Sequence, residues 1–414
     1  MLSGQTVDTN ASWLGRELAA LGVPVARRHT VGDDRQEIAH ALADALAAAD
    51  LVLLTGGLGP TPDDITRDVV AEALDRPLEL DEEILERIRA IYRQRGLDEV
   101  PAPNRRVAQV PRGAIKLTNP HGTAPGLALD VGGSVVVLLP GVPRELKGIF
   151  SADLVPHLRR RFAGRMAPVH MRMLRTTGIP ESALSHRVAE VLPQGADPVK
   201  LAFLPDERGV DLRMSCFGMS AEEARRSLDA LEAVLAPVVA PWRFDSPGGD
   251  LAEAVSAALI RSGKSVALAE SCTGGLMAKR LTDFPGASSV FRGGVVAYEN
   301  RVKTDLLGVD EQALERDGAV SEMVARQMAL GVAARLGADA GIGITGIAGP
   351  DGGTEEKPVG TVWFAATVDG RVEVRRERFS GDRSAIRERA AQAAFFLLLR
   401  LLEGTAGPEE PPRG

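Results

Sequence analysis

Ser265-Val-Ala-Leu-Ala-Glu-Ser-Cys-Thr-Gly-Gly-Leu276 passes from an apolar run, through a serine, into a pair of glycines. A short apolar run bounded by turn residues is a buried strand, and glycines opening the next segment mark an abrupt turn into a helix. The spacing predicts a strand over 265–269, preceded by an amphipathic helix over 251–260. Further strands are expected at 294–298, 340–345, 361–368 and 372–379, with a closing helix over 385–402. Strands mixed with helices in this way predict an α/β domain.

Upstream, the breaker-rich Pro241-Trp-Arg-Phe-Asp-Ser-Pro-Gly-Gly249 marks a domain boundary. Before it, 169–177, 181–191, 199–204, 210–217 and 221–235 read as strand, helix, strand, strand, helix, a small α+β module. The first 150 residues alternate strand-like and helix-like segments at 23–29, 38–46, 51–55 and 65–74. That alternation predicts a mostly parallel sheet covered by helices. A chain of 414 residues has room for three such domains, placed at 1–165, 166–243 and 244–404, with 405–414 expected as a disordered tail.

A net charge of -7 argues against a phosphate-backbone partner, leaving small anionic ligands at local sites. Cys216 and Cys272 make no metal-ligand spacing, and a reducing cytoplasm suits them. The sequence has no 18-residue apolar run and no basic-then-apolar start, so neither membrane nor export is expected.

All six histidines precede residue 187, so a hydrolase in the last domain needs another base. Lysine can serve when desolvation lowers its pKa, and the domain offers Lys264, Lys279, Lys303 and Lys357. Ser271, where strand meets helix, would lie beside free N–H groups able to hold an oxyanion. The alternative is that Ser271 and Thr273 merely cap the helix. Cys272 is a rival nucleophile with no histidine nearby to activate it. Ser262-Gly-Lys-Ser265 lacks the first glycine of a phosphate-binding loop, and Gly341-Ile-Gly-Ile-Thr-Gly346 has its glycines inside a predicted strand, so neither reads as a nucleotide fingerprint.

Ala269-Glu-Ser-Cys-Thr-Gly-Gly275, Gly293-Gly-Val-Val-Ala-Tyr298 with Asn300 and Lys303, Gly318-Ala-Val-Ser321, Thr345-Gly-Ile-Ala-Gly-Pro350, Glu356-Lys-Pro-Val-Gly-Thr361 and Gly381-Asp-Arg383 resemble, in order, the C-terminal domain of the CinA family. The resemblance implies a nicotinamide-nucleotide amidase without a cofactor: Ser271 the nucleophile, Lys303 its base, Tyr298 an aid to proton transfer. It implies substrate contacts from Thr273, Gly274, Gly275, Thr345, Gly346 and, on the phosphate side, Arg383. Each also has a bland reading, with Tyr298 in the core, Lys303 solvated and Arg383 paired with Asp382. Glu299-Asn-Arg-Val302 departs from the family's usual residues between tyrosine and lysine, while the spacing is kept.

Thr55-Gly-Gly-Leu-Gly-Pro-Thr-Pro-Asp-Asp-Ile-Thr66 puts glycines after a buried strand and two carboxylates before a helix. Gly56, Gly57 and Gly59 could cradle phosphate, and Asp63 or Asp64 could hold a divalent metal, unless both only favour the helix dipole. With Thr66, Asn119-Pro-His-Gly-Thr123 and Leu139-Pro-Gly-Val-Pro-Arg-Glu-Leu146, this block is similar to the family's molybdopterin-binding-like half, associated with metal-dependent ADP-ribose hydrolysis. The middle module resembles the family's KH-type domain. The family's usual first strand and its Gly-x-Glu-Leu-Leu loop have no counterpart before Gly4-Gln-Thr-Val-Asp-Thr-Asn10, and weakened ADP-ribose hydrolysis is expected from that.

The reading is thus a cytoplasmic enzyme of the pyridine nucleotide cycle acting on nicotinamide mononucleotide and ADP-ribose, and the resemblance, rather than any pattern in the residues, implies a homodimer. The alternatives are a competence-related nucleotide-binding protein with a silent site, or a molybdopterin-handling module.

Overall fold

The computed structural model describes residues 2, 5–94, 96, 97, 99–166 and 168–405. Of the tail expected at 405–414, Thr405 donates its N–H to the Arg400 carbonyl at 3.0 Å and the rest lies outside the described residues, as does Gly4. The chain divides into two compact units, Met1–His170 with Phe217–Ser220, and Met171–Cys216 with Ala221–Gly414.

In the first unit a four-stranded sheet runs in the order Leu51–Thr55, Ser134–Leu139, Gly126–Val131, Ile115–Leu117. The run Val135–Leu139 is apolar throughout because both of its faces are covered. Val135, Val137 and Leu139 pack with Leu14, Leu18, Leu146 and Ile149. Val136 and Leu138 pack on the other side with Leu42, Val70, Leu85 and Ile88. The result is helix, sheet, helix.

Two expectations for this unit are corrected. Only the pair Leu51–Thr55 with Ser134–Leu139 is parallel, and the other two pairs in this sheet are antiparallel. The cause is a two-residue hairpin at Gly132-Gly133, both at positive φ, which turns Val131 back onto Ser134. The segment 23–29 forms no strand. Pro24 offers no N–H to a ladder and Val25 is exposed.

In the second unit the first sheet runs Arg243–Phe244, Val169–Thr176, Val210–Phe217, Lys200–Pro205, accompanied by the helices Glu181–Val191 and Ala221–Val239. The second sheet has the order Phe291–Val296, Val266–Glu270, Ala340–Gly346, Thr361–Val368, Arg371–Arg378. Its first three strands are parallel and its last two join antiparallel. Strand alternation sends Val266 and Leu268 into a core with the helices Leu251–Ser262 and Arg383–Glu403. Ala267 and Ala269 face Val324, Met328 and Val332 of the helix Glu322–Leu336.

That last helix lies very close to the sheet. A Cβ at Gly341 would overlap the Ala329 carbonyl, and one at Gly343 would meet the Ala325 carbonyl and the Ala329 nitrogen. These glycines lie inside a strand, as expected, and there they permit the close approach of the helix. Among the described residues, no helix is long and apolar enough to cross a membrane.

Candidate active site

Register brings three carboxyl strand ends together. Glu270 lies opposite Val296 on one side and Ile344 on the other, so Ser271, Tyr298 and Thr345 follow from adjacent parallel strands. Ligands bind at such strand ends in open α/β sheets.

Ser271 is buried, and its N–H donates to the Ile344 carbonyl at 3.0 Å. The turn after it is closed by a residue whose role the sequence reading missed. Glu270 is buried, and its carboxylate accepts from the N–H groups of Gly275 at 2.9 Å, Met277 at 3.1 Å and Ala278 at 2.8 Å. A buried carboxylate must find donors, and the start of the helix Leu276–Thr282 supplies them. Gly274 and Gly275, at φ +59° and +91°, adopt the left-handed conformation this tight return needs.

Two expectations change in consequence. The helix N–H groups are not free for an oxyanion, because Glu270 occupies three, while the N–H groups of Gly274 and Leu276 donate to the carbonyls of Ser271 and Thr273. Nor do Ser271 and Thr273 cap the helix, since Gly275 is the cap residue and no side chain bonds there as N-cap. Among the described residues, only Cys272 and Thr273 in this turn have N–H groups without an oxygen acceptor.

Lys303 is 1% exposed, and its ammonium donates to the Tyr298 carbonyl at 3.3 Å. Burial lowers its pKa, and the nearby Cys272 group, which acts in the opposite sense, does not reverse the shift. The bland reading of Lys303 as a solvated helix residue is thereby overturned. No hydrogen bond joins it to Ser271, whereas Cys272 is close enough to act on it electrostatically. Burial pushes the Cys272 thiol up to about 12, which makes it a poor nucleophile.

Tyr298 is 61% exposed and does not belong to the core. Its hydroxyl accepts from Arg383 at 2.8 Å, and the same guanidinium donates to the Gly349 carbonyl at 2.7 Å. Arg383 is therefore not confined to pairing with Asp382, whose carboxylate instead caps the helix through the Ala385 N–H. Thr345 is buried, with its hydroxyl on the Ala319 carbonyl at 2.8 Å, and Gly346 ends the same strand. One helical turn beyond Arg383, Arg387 donates to the Thr273 carbonyl. The sequence reading missed Arg387, because its partner is a backbone carbonyl 114 residues away.

In the first unit, the parallel pair Leu51–Thr55 and Ser134–Leu139 ends in Gly56-Gly57 and Pro140-Gly141 side by side, with Gly56 N–H on the Leu139 carbonyl. Asn10 is buried and donates to the Gly141 carbonyl at 2.7 Å. Gly57 abuts Thr66, and Gly59 abuts Asp64. Asp64 accepts from the Thr61 N–H at 2.9 Å and from the Thr61 hydroxyl. Burial raises the Asp64 pKa, but the Thr61 and Gly59 hydrogen bonds and the charge of Arg67 bring it below its usual value. The carboxylate is thus committed to closing its own loop. Asp63 is exposed, with no side-chain partner among the described residues. Buried Asn119 donates to the Ala124 carbonyl at 2.8 Å and to Glu145 at 2.6 Å, and Thr123 is half-buried in that loop.

Among the described residues, no group of three or more His, Cys, Asp or Glu is placed to hold a metal. A cation bound mainly by substrate phosphates and water needs only one or two carboxylates, a mode that Asp63 fits.

Comparison with known families matches residues 249–402 to the "CinA C-terminal domain", 1–160 to the "Probable molybdopterin binding domain" and 171–244 to the "Damage-inducible protein CinA KH domain". The chain is 45% identical over 410 residues to a CinA-like protein of Gemmatimonas aurantiaca, covering 99% of this chain and 96% of the relative. It is 43% identical over 396 residues to one of Salinibacter ruber, covering 95% of each. A third, from Frankia casuarinae, is 41% identical over 422 residues, covering 100% of this chain and 96% of the relative. The fold is α/β, with a molybdopterin-binding-like domain, a KH domain and a C-terminal α/β domain.

Proposed function

The chain belongs to the CinA family, and from that premise we propose that its C-terminal domain is a Ser-Lys amidase that hydrolyses nicotinamide mononucleotide to nicotinate mononucleotide and ammonia. The observation that carries this reading is a fully buried lysine whose one hydrogen-bond partner among the described residues is a backbone carbonyl, and which lies near enough to Cys272, the neighbour of Ser271, to interact with it electrostatically. A lysine so placed loses its proton more readily than one in water and can act as a base.

In the reaction, neutral Lys303 takes the Ser271 proton as the oxygen attacks the carboxamide carbon. The resulting ammonium returns that proton to the departing nitrogen, and the C–N bond breaks to release ammonia. Water, deprotonated by Lys303, then attacks the acyl-serine, which frees the acid and regenerates Ser271. The Cys272 and Thr273 N–H groups, which face the Cys272 sulfur and have no oxygen acceptor, are the donors of this turn proposed to turn to the developing oxyanion. Catalytic hydrogen bonds absent without substrate commonly tighten once it binds. Exposed Arg383 meets the phosphate, for which its planar fork is suited.

The first unit is proposed to hydrolyse ADP-ribose at its pyrophosphate, supported by the Gly56–Gly59 turn at the end of a parallel strand. A divalent cation would bind through Asp63 and the substrate's own phosphates, neutralising their charge. We further propose a cytoplasmic homodimer.

The deciding experiment incubates the purified chain with nicotinamide mononucleotide and follows ammonia. Release that disappears in Ser271→Ala supports the reading. No release from the wild type refutes it, and leaves a nucleotide-binding protein with a silent site.

A further inference from the structure

The Ser271–Gly275 turn is held from two sides. From within, Glu270 gathers the N–H groups beyond it, and from without, Arg387 reaches 114 residues across the sequence to the Thr273 carbonyl. The carbonyl that Arg387 holds belongs to the peptide between Thr273 and Gly274. Gly274 and Gly275 both sit at positive φ, so this is the part of the turn with the least intrinsic preference for one orientation. Glu270 touches the turn only from Gly275 onward.

Arg387 is itself fixed by its helix. Glu388, the next residue, lies 3.4 Å from Arg208, and Gln392 accepts from buried Arg280 at 2.7 Å. Arg383, on the same helix, spans Tyr298 and Gly349, so one helix end ties together the loops that follow three adjacent strands.

We infer that Arg387 is a positioning residue for the amidase reaction: by holding the Thr273 carbonyl it orients the preceding Cys272 and Thr273 N–H groups toward the carboxamide oxygen, where negative charge develops as Ser271 attacks. The inference rests on the amidase reading. A group that sets geometry without meeting substrate affects turnover, whereas a phosphate contact affects binding.

The test is steady-state deamidation of nicotinamide mononucleotide by the full chain, with Arg387→Met and Arg387→Lys, each also melted thermally. Arg387→Met should lose about tenfold to a hundredfold in kcat with KM unchanged, the scale set by small misplacements of reacting groups. Arg387→Lys, which keeps one donor for the carbonyl, should recover part of kcat and melt like the wild type. An unchanged kcat in Arg387→Met overturns the assignment, as does a rise in KM alone, which would make Arg387 a phosphate contact. A wild-type chain that releases no ammonia overturns the amidase reading and this assignment together.

Discussion

The Lys303 ammonium donates to the Tyr298 carbonyl at 3.3 Å, five residues back along the chain, and no carboxylate among the described residues pairs with it. Burial therefore depresses its pKa below the ordinary lysine value of 10.5. Between the depressed folded pKa and 10.5 the unfolded chain binds the extra proton, so stability in that window rises with pH. Lys303→Met removes the penalty of the buried charge. It should melt higher than the wild type near neutral pH, with the difference shrinking toward pH 10.5, while deamidation is lost. Equal melting temperatures at every pH would show that Lys303 carries no such penalty.

Lys303→Arg should be nearly as inactive as Lys303→Ala, a loss on the order of 10²–10⁴-fold for a missing general base. A guanidinium keeps the charge but cannot release a proton near neutrality. Substantial activity in the arginine variant would reduce Lys303 to an electrostatic role.

Ser271→Ala should abolish ammonia release, and Cys272→Ala should retain most of it. Burial pushes the thiol up to about 12, so it supplies almost no thiolate at working pH. The reverse pattern would make the cysteine the nucleophile.

Glu270→Gln tests the inner clamp. The carboxylate accepts from three N–H groups through two oxygens, and an amide presents one oxygen and an NH₂ that faces donors. At about 1–3 kcal/mol for each buried group left unsatisfied, denaturant unfolding should show a loss of about 2 kcal/mol. A midpoint equal to the wild type would mean that the turn closes without the carboxylate.

Strands of the second unit that are apolar over a full run were legible, as Thr361–Val368 shows, whereas Phe291–Val296, expected at 294–298, starts three residues earlier because Arg292 and two glycines interrupt its apolar run. The first unit was less so. Its alternation of strand-like and helix-like segments suggested parallel pairing, although Asp130-Val-Gly-Gly-Ser134 already carried the signal of a tight hairpin. At the site, Ser271 and Lys303 could be singled out by the lack of a local histidine and by motif order. Glu270 and Arg387 could not, because the partners that define them are backbone atoms brought near by folding. The Arg387–Thr273 contact spans 114 residues, and local pattern carries no trace of it.

Arg280, nearly inaccessible, binds Asp250 at 2.6 Å, and Asp250 also receives Arg208 at 2.8 Å from the turn between Lys200–Pro205 and Val210–Phe217. Phe244, from the breaker-rich stretch, pairs with Arg175 in one sheet while its ring enters the core beneath the other. The stretch 241–249 therefore behaves as shared scaffold rather than spacer. Cutting the chain there would strip Asp250 of one cation and expose apolar surface on both products. On heating, the KH-type module and the C-terminal domain should melt cooperatively, as a single thermodynamic entity although two separate family models match them.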